Sequence, residues 1–123
     1  KLEYNVSCIG FCYGGSLSWI AAQKSFIFNA SVCYYGSSIP DFLDKDLNCP
    51  VQVHFGKEDK GIPEFAVKKV KEFAKKQRIK VDICEYNNAD HGFNCDERKS
   101  YNKDASEKSI EKTIQFLMEN NNV

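Results

Sequence analysis

Residues 4–23 read YNVSCIGFCYGGSLSWIAAQ, and this segment says more about the fold than any other part of the chain. It opens with a mostly apolar run over residues 4–9, which is typical of a buried β-strand. The glycine-rich residues 10–15 predict a turn. The apolar side chains of residues 16–23 then predict a short buried helix. A strand that passes through a glycine turn into a helix is the opening of a parallel β–α–β unit.

The same alternation continues to the end of the chain. Strands are predicted over residues 30–35, 51–55 and 80–86, one helical turn is predicted after Pro40, and a helix is predicted to begin at Pro63. Asp104 and Glu107 have capping-box spacing and predict a last helix. Its residues Ile110, Ile114, Leu117 and Met118 are expected to face inward. Alternating strands and helices predict an α/β fold with about four parallel strands and flanking helices.

Composition excludes several classes of function. The chain has 123 residues, enough for one domain, and its 17 basic and 17 acidic side chains cancel. A zero net charge argues against a nucleic-acid partner. No apolar run is long enough to span a membrane, so no membrane partner is predicted. The chain begins with Lys1, not Met, and we expect it to be part of a longer protein.

The six cysteines predict reduced thiols. No pair has C-x-x-C spacing, so neither a zinc site nor thioredoxin-type chemistry is supported. Cys8, Cys33 and Cys84 lie in apolar strand-like runs, where cysteine behaves as a small hydrophobic residue. A redox pair of Cys8 and Cys12 is opposed by the extended strand between them. We therefore expect a cytoplasmic protein without disulfides, metal or cofactor.

The predicted turn carries a candidate nucleophile. Gly10-Phe11-Cys12-Tyr13-Gly14 follows the G-x-nucleophile-x-G pattern of a nucleophile elbow, with cysteine in place of serine. We expect side chains at positions 10 and 14 to collide in so sharp a turn. The amides of the following helix should favour the Cys12 thiolate. The alternative is an ordinary glycine-rich turn with a buried cysteine.

Two later loops supply a candidate acid and base. Ligands of parallel sheets bind beyond the carboxyl ends of the strands. Glu58 and Asp59 both follow the third strand, and His91 follows the fourth. His54 lies within the third strand and is predicted to be structural. Nucleophile, acid and histidine thus appear in the chain order of the α/β-hydrolases. The Tyr13 amide would donate a hydrogen bond to the oxyanion of such a site.

At these residues the sequence resembles the dienelactone hydrolase family of α/β-hydrolases. The matching stretches are residues 10–15, Tyr34-Tyr35-Gly36, His54-Phe55-Gly56 through Asp59 and Pro63, and His91-Gly92-Phe93. The resemblance implies a hydrolase of carboxylic ester or lactone bonds, with Cys12 as nucleophile, Asp59 as acid and His91 as base. It implies a thioester acyl-enzyme and a small-molecule ester or lactone substrate. Side chains assigned to substrate binding on the same grounds are Phe11, Tyr35, Phe93 and Arg98.

The resemblance also carries two departures from the family pattern. Family members have a carboxylate-binding arginine about where Cys95 stands, and Arg98 is the candidate replacement. The family fold also has more strands than this chain provides. Residues 1–123 are therefore predicted to be the C-terminal portion, without the N-terminal strands. Those strands would supply a second oxyanion amide, an activating glutamate and another arginine. The alternative is an inactive truncated fragment that acts as an interaction module and self-associates through its open N-terminal strand edge.

Overall fold

A four-stranded parallel sheet forms the centre of the computed structural model, which describes residues 4–121. In chain order the elements are β1 (Ser7–Phe11), α1 (Tyr13–Lys24), β2 (Ala30–Tyr34), a 3₁₀ turn (Ile39–Asp41), β3 (Val51–Gly56), α2 (Glu64–Lys75), β4 (Val81–Tyr86) and α3 (Lys103–Asn120). The strands lie side by side in chain order, and every neighbouring pair is parallel. The predicted α/β class and the four parallel strands are confirmed.

The strand register brings the carboxyl ends of the strands to one edge of the sheet. Phe11 pairs with Tyr34, and Tyr34 pairs with His54. Every residue of β2 and β3 is buried, because these two strands have a neighbour on both sides and helices on both faces. β1 and β4 form the two edges of this sheet. The loops that follow β1, β3 and β4 therefore begin near one another.

Helices α1 and α2 cover one face of the sheet. The Trp19 ring of α1 lies 5.6 Å from the Phe73 ring of α2. Ser31 of β2 faces the same way, since its hydroxyl donates to the Ser18 carbonyl at 2.8 Å. Trp19 is fully buried and its indole N–H donates to the Phe42 carbonyl at 2.8 Å, so its one polar group is satisfied.

Helix α3 covers the opposite face, and its inward side differs from the prediction. Its buried residues are Ala105, Ser106, Ser109, Thr113 and Phe116. Ile110, Ile114 and Met118 were expected to face inward but are 42%, 53% and 46% exposed, so that expectation is wrong. The strand face below α3 presents the polar groups of buried Tyr34 and His54, which need hydrogen-bonding partners more than apolar ones.

Two predicted boundaries also move. The first strand is displaced toward the glycine turn, so that β1 ends at Phe11 and α1 begins directly after Cys12. Helix α3 is capped by Asn102, whose side-chain oxygen accepts a hydrogen bond from the Ala105 amide at 3.0 Å. Asparagine is a strong N-cap residue, and this cap replaces the capping box predicted at Asp104.

Candidate active site

Cys12 lies at the sharp turn between β1 and α1. Its backbone has φ 56° and ψ −118°, a conformation that side chains other than glycine rarely adopt. The Cys12 amide donates to the Tyr34 carbonyl at 3.1 Å, which ties the turn to the end of β2. A strained cysteine held at the end of a strand is the geometry of a nucleophile elbow.

The glycines of the turn have different roles from those predicted. A Cβ at Gly10 would lie 1.9 Å from the Gly14 carbonyl oxygen, so the strand and helix can approach only without a side chain there. A Cβ at Gly15 would lie 2.2 Å from the Tyr34 carbonyl oxygen. A Cβ at Gly14 would meet nothing within 4 Å. The steric requirement therefore falls on positions 10 and 15, and the expectation for Gly14 is wrong.

The surroundings of Cys12 favour the protonated thiol. Burial raises the pKa of Cys12 above the ordinary thiol value, and nearby Cys95 and Asp59 act in the same direction. The Arg98 guanidinium opposes them by lowering that pKa. The thiolate favoured by the helix amides is thus not the dominant form at neutral pH, and nucleophilic attack from this position calls for a general base.

Asp59 and His91 form a direct pair. The Asp59 carboxylate is buried, and its Oδ2 lies 2.8 Å from His91 Nδ1. The Gly61 amide donates to Asp59 Oδ1 at 2.9 Å, which fixes the other carboxylate oxygen. Glu58, the alternative acid, is exposed. Because a carboxylate accepts hydrogen bonds, Nδ1 of His91 is the donor of this pair.

Two aromatic residues that were assigned to substrate binding, Tyr35 and Phe93, lie next to this pair. The Tyr35 ring is 5.2 Å from the His91 ring and 5.1 Å from the Phe93 ring. Tyr35 is 1% exposed and Phe93 is fully buried. Burial also raises the pKa of the Tyr35 hydroxyl, and its φ of 37° is unusual for a large side chain. In this structure the Tyr35 ring packs between His91 and Phe93, and the assignment of Tyr35 and Phe93 to substrate binding stays a prediction.

Arg98 packs against Gly92, the residue after His91 and a glycine that the sequence did not single out for this role. Gly92 has φ +78°, and a Cβ there would lie 2.6 Å from Arg98 Nη1. A glycine directly after the candidate histidine was the available signal. The Arg98 amide donates to the Cys95 carbonyl at 3.1 Å, so a short turn brings these two residues to the same loop. The exposed guanidinium is available to an anionic group.

The remaining candidates lie on the elbow itself. Tyr13 is the first residue of α1, and the first amides of a helix have no intrahelical acceptor. Its side chain is 76% exposed. Phe11 is 43% exposed and its ring lies 4.7 Å from the Tyr34 ring. Within residues 4–121 the structure pairs Asp59 with His91, and no hydrogen bond joins the Cys12 thiol to His91.

Three further features of residues 4–121 bear on the class of site. No group of three or more His, Cys, Asp and Glu side chains could hold a metal ion. No helix there is both long and apolar enough to cross a bilayer. All six cysteines are free, with Cys95 exposed and Cys33, Cys49 and Cys84 buried.

Comparisons with known proteins identify the family of the chain. A model of the Dienelactone hydrolase family matches residues 2–120. A Synechocystis sp. protein named "Putative carboxymethylenebutenolidase" is 31% identical in a match that covers 91% of this chain and 49% of that protein. The chain thus spans about half the length of the curated relatives it matches.

Solved structures show the same fold. A Klebsiella pneumoniae protein described as a "Putative Dienelactone Hydrolase" has a TM-score of 0.79 and 27% identity, and the match covers 89% of this chain and 50% of that one. A dienelactone hydrolase-like promiscuous phosphotriesterase from metagenomic libraries has a TM-score of 0.81, 21% identity and coverage of 93% and 52%. The family match over residues 2–120 decides the classification. The chain belongs to the dienelactone hydrolase family.

Proposed function

We propose that this chain carries the nucleophile, acid and base of a hydrolase of carboxylic ester or lactone bonds. The observation that supports it most is the buried Asp59 carboxylate 2.8 Å from His91 Nδ1, at the same sheet edge as the strained Cys12. Asp59 would hold the His91 ring with Nε2 free to take a proton. The family membership favours the same bond class.

The proposed reaction has two steps. His91 Nε2 takes the proton of the Cys12 thiol as the sulfur attacks the substrate carbonyl carbon, and the oxyanion accepts a hydrogen bond from the Tyr13 amide. The C–O bond then breaks, His91 returns the proton to the leaving oxygen, and a thioester remains on Cys12. In the second step His91 takes a proton from water, whose oxygen attacks the thioester. The acid is released and the proton returns to sulfur.

The surroundings support two further parts of this proposal. Arg98, which packs against Gly92 and lowers the pKa of Cys12, would attract a substrate carboxylate. Phe11, half-exposed at the end of β1, would contact the apolar part of the substrate. The six free thiols fit a reducing compartment, and we place the protein in the cytoplasm. Because the chain spans about half of its relatives, other groups of the complete fold would finish the binding site.

The test measures hydrolysis of p-nitrophenyl acetate by the full chain, counted beyond one product per protein so that thiol acylation alone is excluded. Cys12→Ala should abolish turnover, and Cys12→Ser should be weaker than wild type because a hydroxyl ionises far less readily than a thiol. Cys95→Ala is the matched control at an exposed cysteine and should retain turnover. Equal turnover by Cys12→Ala and wild type would refute the assignment.

The acid is tested with a matched pair of neighbours. Asp59→Asn keeps the shape of the side chain but lets the His91 ring adopt the wrong tautomer, so kcat should fall by about three orders of magnitude or more. Glu58→Gln, at the adjacent exposed position, should leave kcat within about two-fold, because an exposed charge is screened by water. Equal effects of the two substitutions would contradict the role of Asp59.

The second candidate function is an interaction module without catalysis, and one surface favours it. β1 is an edge strand whose Ile9 and Phe11 are 46% and 43% exposed. The exposed Ile114 lies seven residues before Asn121, and so on the same face of α3. Asn121 is hydrogen bonded to Ser7 of β1. An open apolar strand edge pairs readily with another chain.

Light scattering coupled to size-exclusion chromatography tests this module. Self-association of the wild-type chain that Ile9→Lys abolishes would support it. Phe65→Lys is the matched control, because Phe65 is 68% exposed on α2, far from β1, and this change should leave association intact. A wild-type monomer with measurable ester turnover would refute the second candidate and favour the first.

A further inference from the structure

A buried histidine connects the sheet to helix α3. His54 of β3 has no exposed surface, and both of its ring nitrogens have partners. Nδ1 lies 2.8 Å from the Tyr86 hydroxyl, and Nε2 lies 2.9 Å from Gln52 Oε1. The Thr113 hydroxyl oxygen of α3 is 3.2 Å from Nε2. A ring this completely bonded has one orientation in the core.

The network also fixes the tautomer of His54. The Gln52 amide nitrogen donates to the Asp82 carboxylate at 2.9 Å, so the Gln52 oxygen is the atom that faces His54. Nε2 must therefore carry the hydrogen, and Nδ1 must accept from the Tyr86 hydroxyl. Burial lowers the pKa of His54 to about 3, Asp82 opposes that shift and Lys112 adds to it, so the ring is neutral near pH 7.

The neutral His54 ring is stacked between the Tyr34 and Tyr86 rings, and both tyrosine rings lie near Phe93. The His54 ring lies 4.4 Å from Tyr34 and 5.8 Å from Tyr86, with interplanar angles of 22° and 24°. The Phe93 ring is 6.2 Å from Tyr34 and 5.2 Å from Tyr86. His54 thus holds in place the Tyr34 and Tyr86 rings, against which Phe93 is buried.

Phe93 anchors the turn that carries His91. The Phe93 amide donates to the Asp90 carbonyl at 3.2 Å and closes a turn around His91. Phe93 has no exposed surface, so the turn cannot move without moving a ring in the core. Displacement of a reacting group by about 1 Å can cost about two orders of magnitude in rate. A displacement of Phe93 in the core would therefore displace the His91 ring.

We propose that His54 is a positioning residue for His91 and acts through Phe93. Its neutral Nε2–H tautomer holds Tyr86 and Tyr34 in place, and these two rings hold Phe93. The catalytic consequence rests on the function proposed above, whereas the effect on the position of His91 does not.

The experiment uses imidazole nitrogen NMR on the full chain, because His54 and His91 are its only histidines. His54→Leu assigns the two sets of signals. Tyr86→Phe is the main test, since it removes the hydroxyl that donates to His54 Nδ1 and keeps the ring. Val70→Ala is the matched control: it removes buried volume from α2, on the opposite face of the sheet, and lowers stability without touching this network.

In Tyr86→Phe the His91 ring signals should shift, and kcat for p-nitrophenyl acetate should fall about ten-fold with KM unchanged. Val70→Ala should leave the His91 signals and kcat as in wild type. A folded Tyr86→Phe with unchanged His91 signals would overturn the proposal, whether or not the wild type turns over substrate. If His54→Leu does not fold, Tyr86→Phe still tests the proposal. His91→Gln then assigns the histidine signals in place of His54→Leu. Absence of turnover in wild type with shifted His91 signals would refute the catalytic function and retain the positioning role.

Discussion

Replacing Gly10 or Gly14 of the elbow by alanine tests the geometry of the turn. At Gly10 the new Cβ would lie 1.9 Å from the Gly14 carbonyl oxygen and 2.3 Å from the Gly14 carbonyl carbon. Real Cβ contacts essentially never fall below 3.0 Å, so the strand and the first turn of α1 must separate by at least 1.1 Å. The obstacle is backbone and cannot rotate away. We expect Gly10→Ala to cost about 3 kcal/mol, at the upper end of overpacking effects.

Gly14→Ala is the matched control in the same turn. The added methyl group meets nothing within 4 Å, and neither Gly10 nor Gly14 has a positive φ that alanine could not adopt. A compatible Gly→Ala change stabilises a protein by about 0.4–1 kcal/mol, because it restricts the unfolded chain. The two single-methyl variants should therefore differ by about 3.5 kcal/mol or more, with opposite signs relative to wild type.

Urea unfolding measures this difference. Trp19 is the single tryptophan and is fully buried, so its fluorescence reports loss of the α1 contacts. With a slope of about 1.5–2 kcal/mol per M, the two midpoints should separate by about 2 M. If Gly10→Ala unfolds within about 1 kcal/mol of wild type, or if Gly14→Ala is equally destabilised, the steric account of the elbow is wrong.

Two further predictions concern titration. The pKa of His54 is about 3 in the folded protein and about 6.5 in the unfolded chain, so the unfolded chain binds a proton more readily. The stabilising contribution of His54 is therefore complete above pH 6.5 and declines as the pH falls toward 3, by at most about 1.4 kcal/mol per pH unit. Urea unfolding from pH 7 to pH 4 should show a steeper decline in stability for wild type than for His54→Gln, and parallel curves would contradict this. Arg98 lowers the pKa of Cys12, so in a Cys95→Ser background Arg98→Gln should slow alkylation of Cys12 by iodoacetamide at pH 7.5, measured by mass spectrometry; an unchanged rate would show that the guanidinium does not act on the thiol.

Much of the fold was predictable because its signals are local. Alternating apolar runs, glycine turns and Pro63 each act over a few residues, and the element order followed from them. The inward side of α3 was not predictable in this way. Its apolar residues, such as Ile114, suggested one face, but Thr113 faces inward because it bonds to Tyr34 and His54 on strands far away in the sequence. Local hydrophobicity does not report such partners.

The candidate site was likewise predictable where its signals are local and unpredictable where they depend on the folded structure. Chain order and strand ends were enough to select the loops that contain Cys12 and His91. The choice between Glu58 and Asp59 was open because both stand at the same strand end. Burial of Asp59 and its hydrogen bond to the Gly61 amide separate them, and both features depend on the three-dimensional turn.

The parallel sheet has a consequence for how the protein would lose its site on unfolding. Cys12, Asp59 and His91 follow three different strands, and Tyr35, whose ring packs against the His91 ring, directly follows β2. No single β–α unit contains more than one of these three candidate residues. Asp59 and His91 follow the neighbouring strands β3 and β4, whereas Cys12 follows β1, which β2 separates from β3. The three residues therefore come together only when all four strands have assembled, and detachment of β1 or of β4 alone should be enough to separate them.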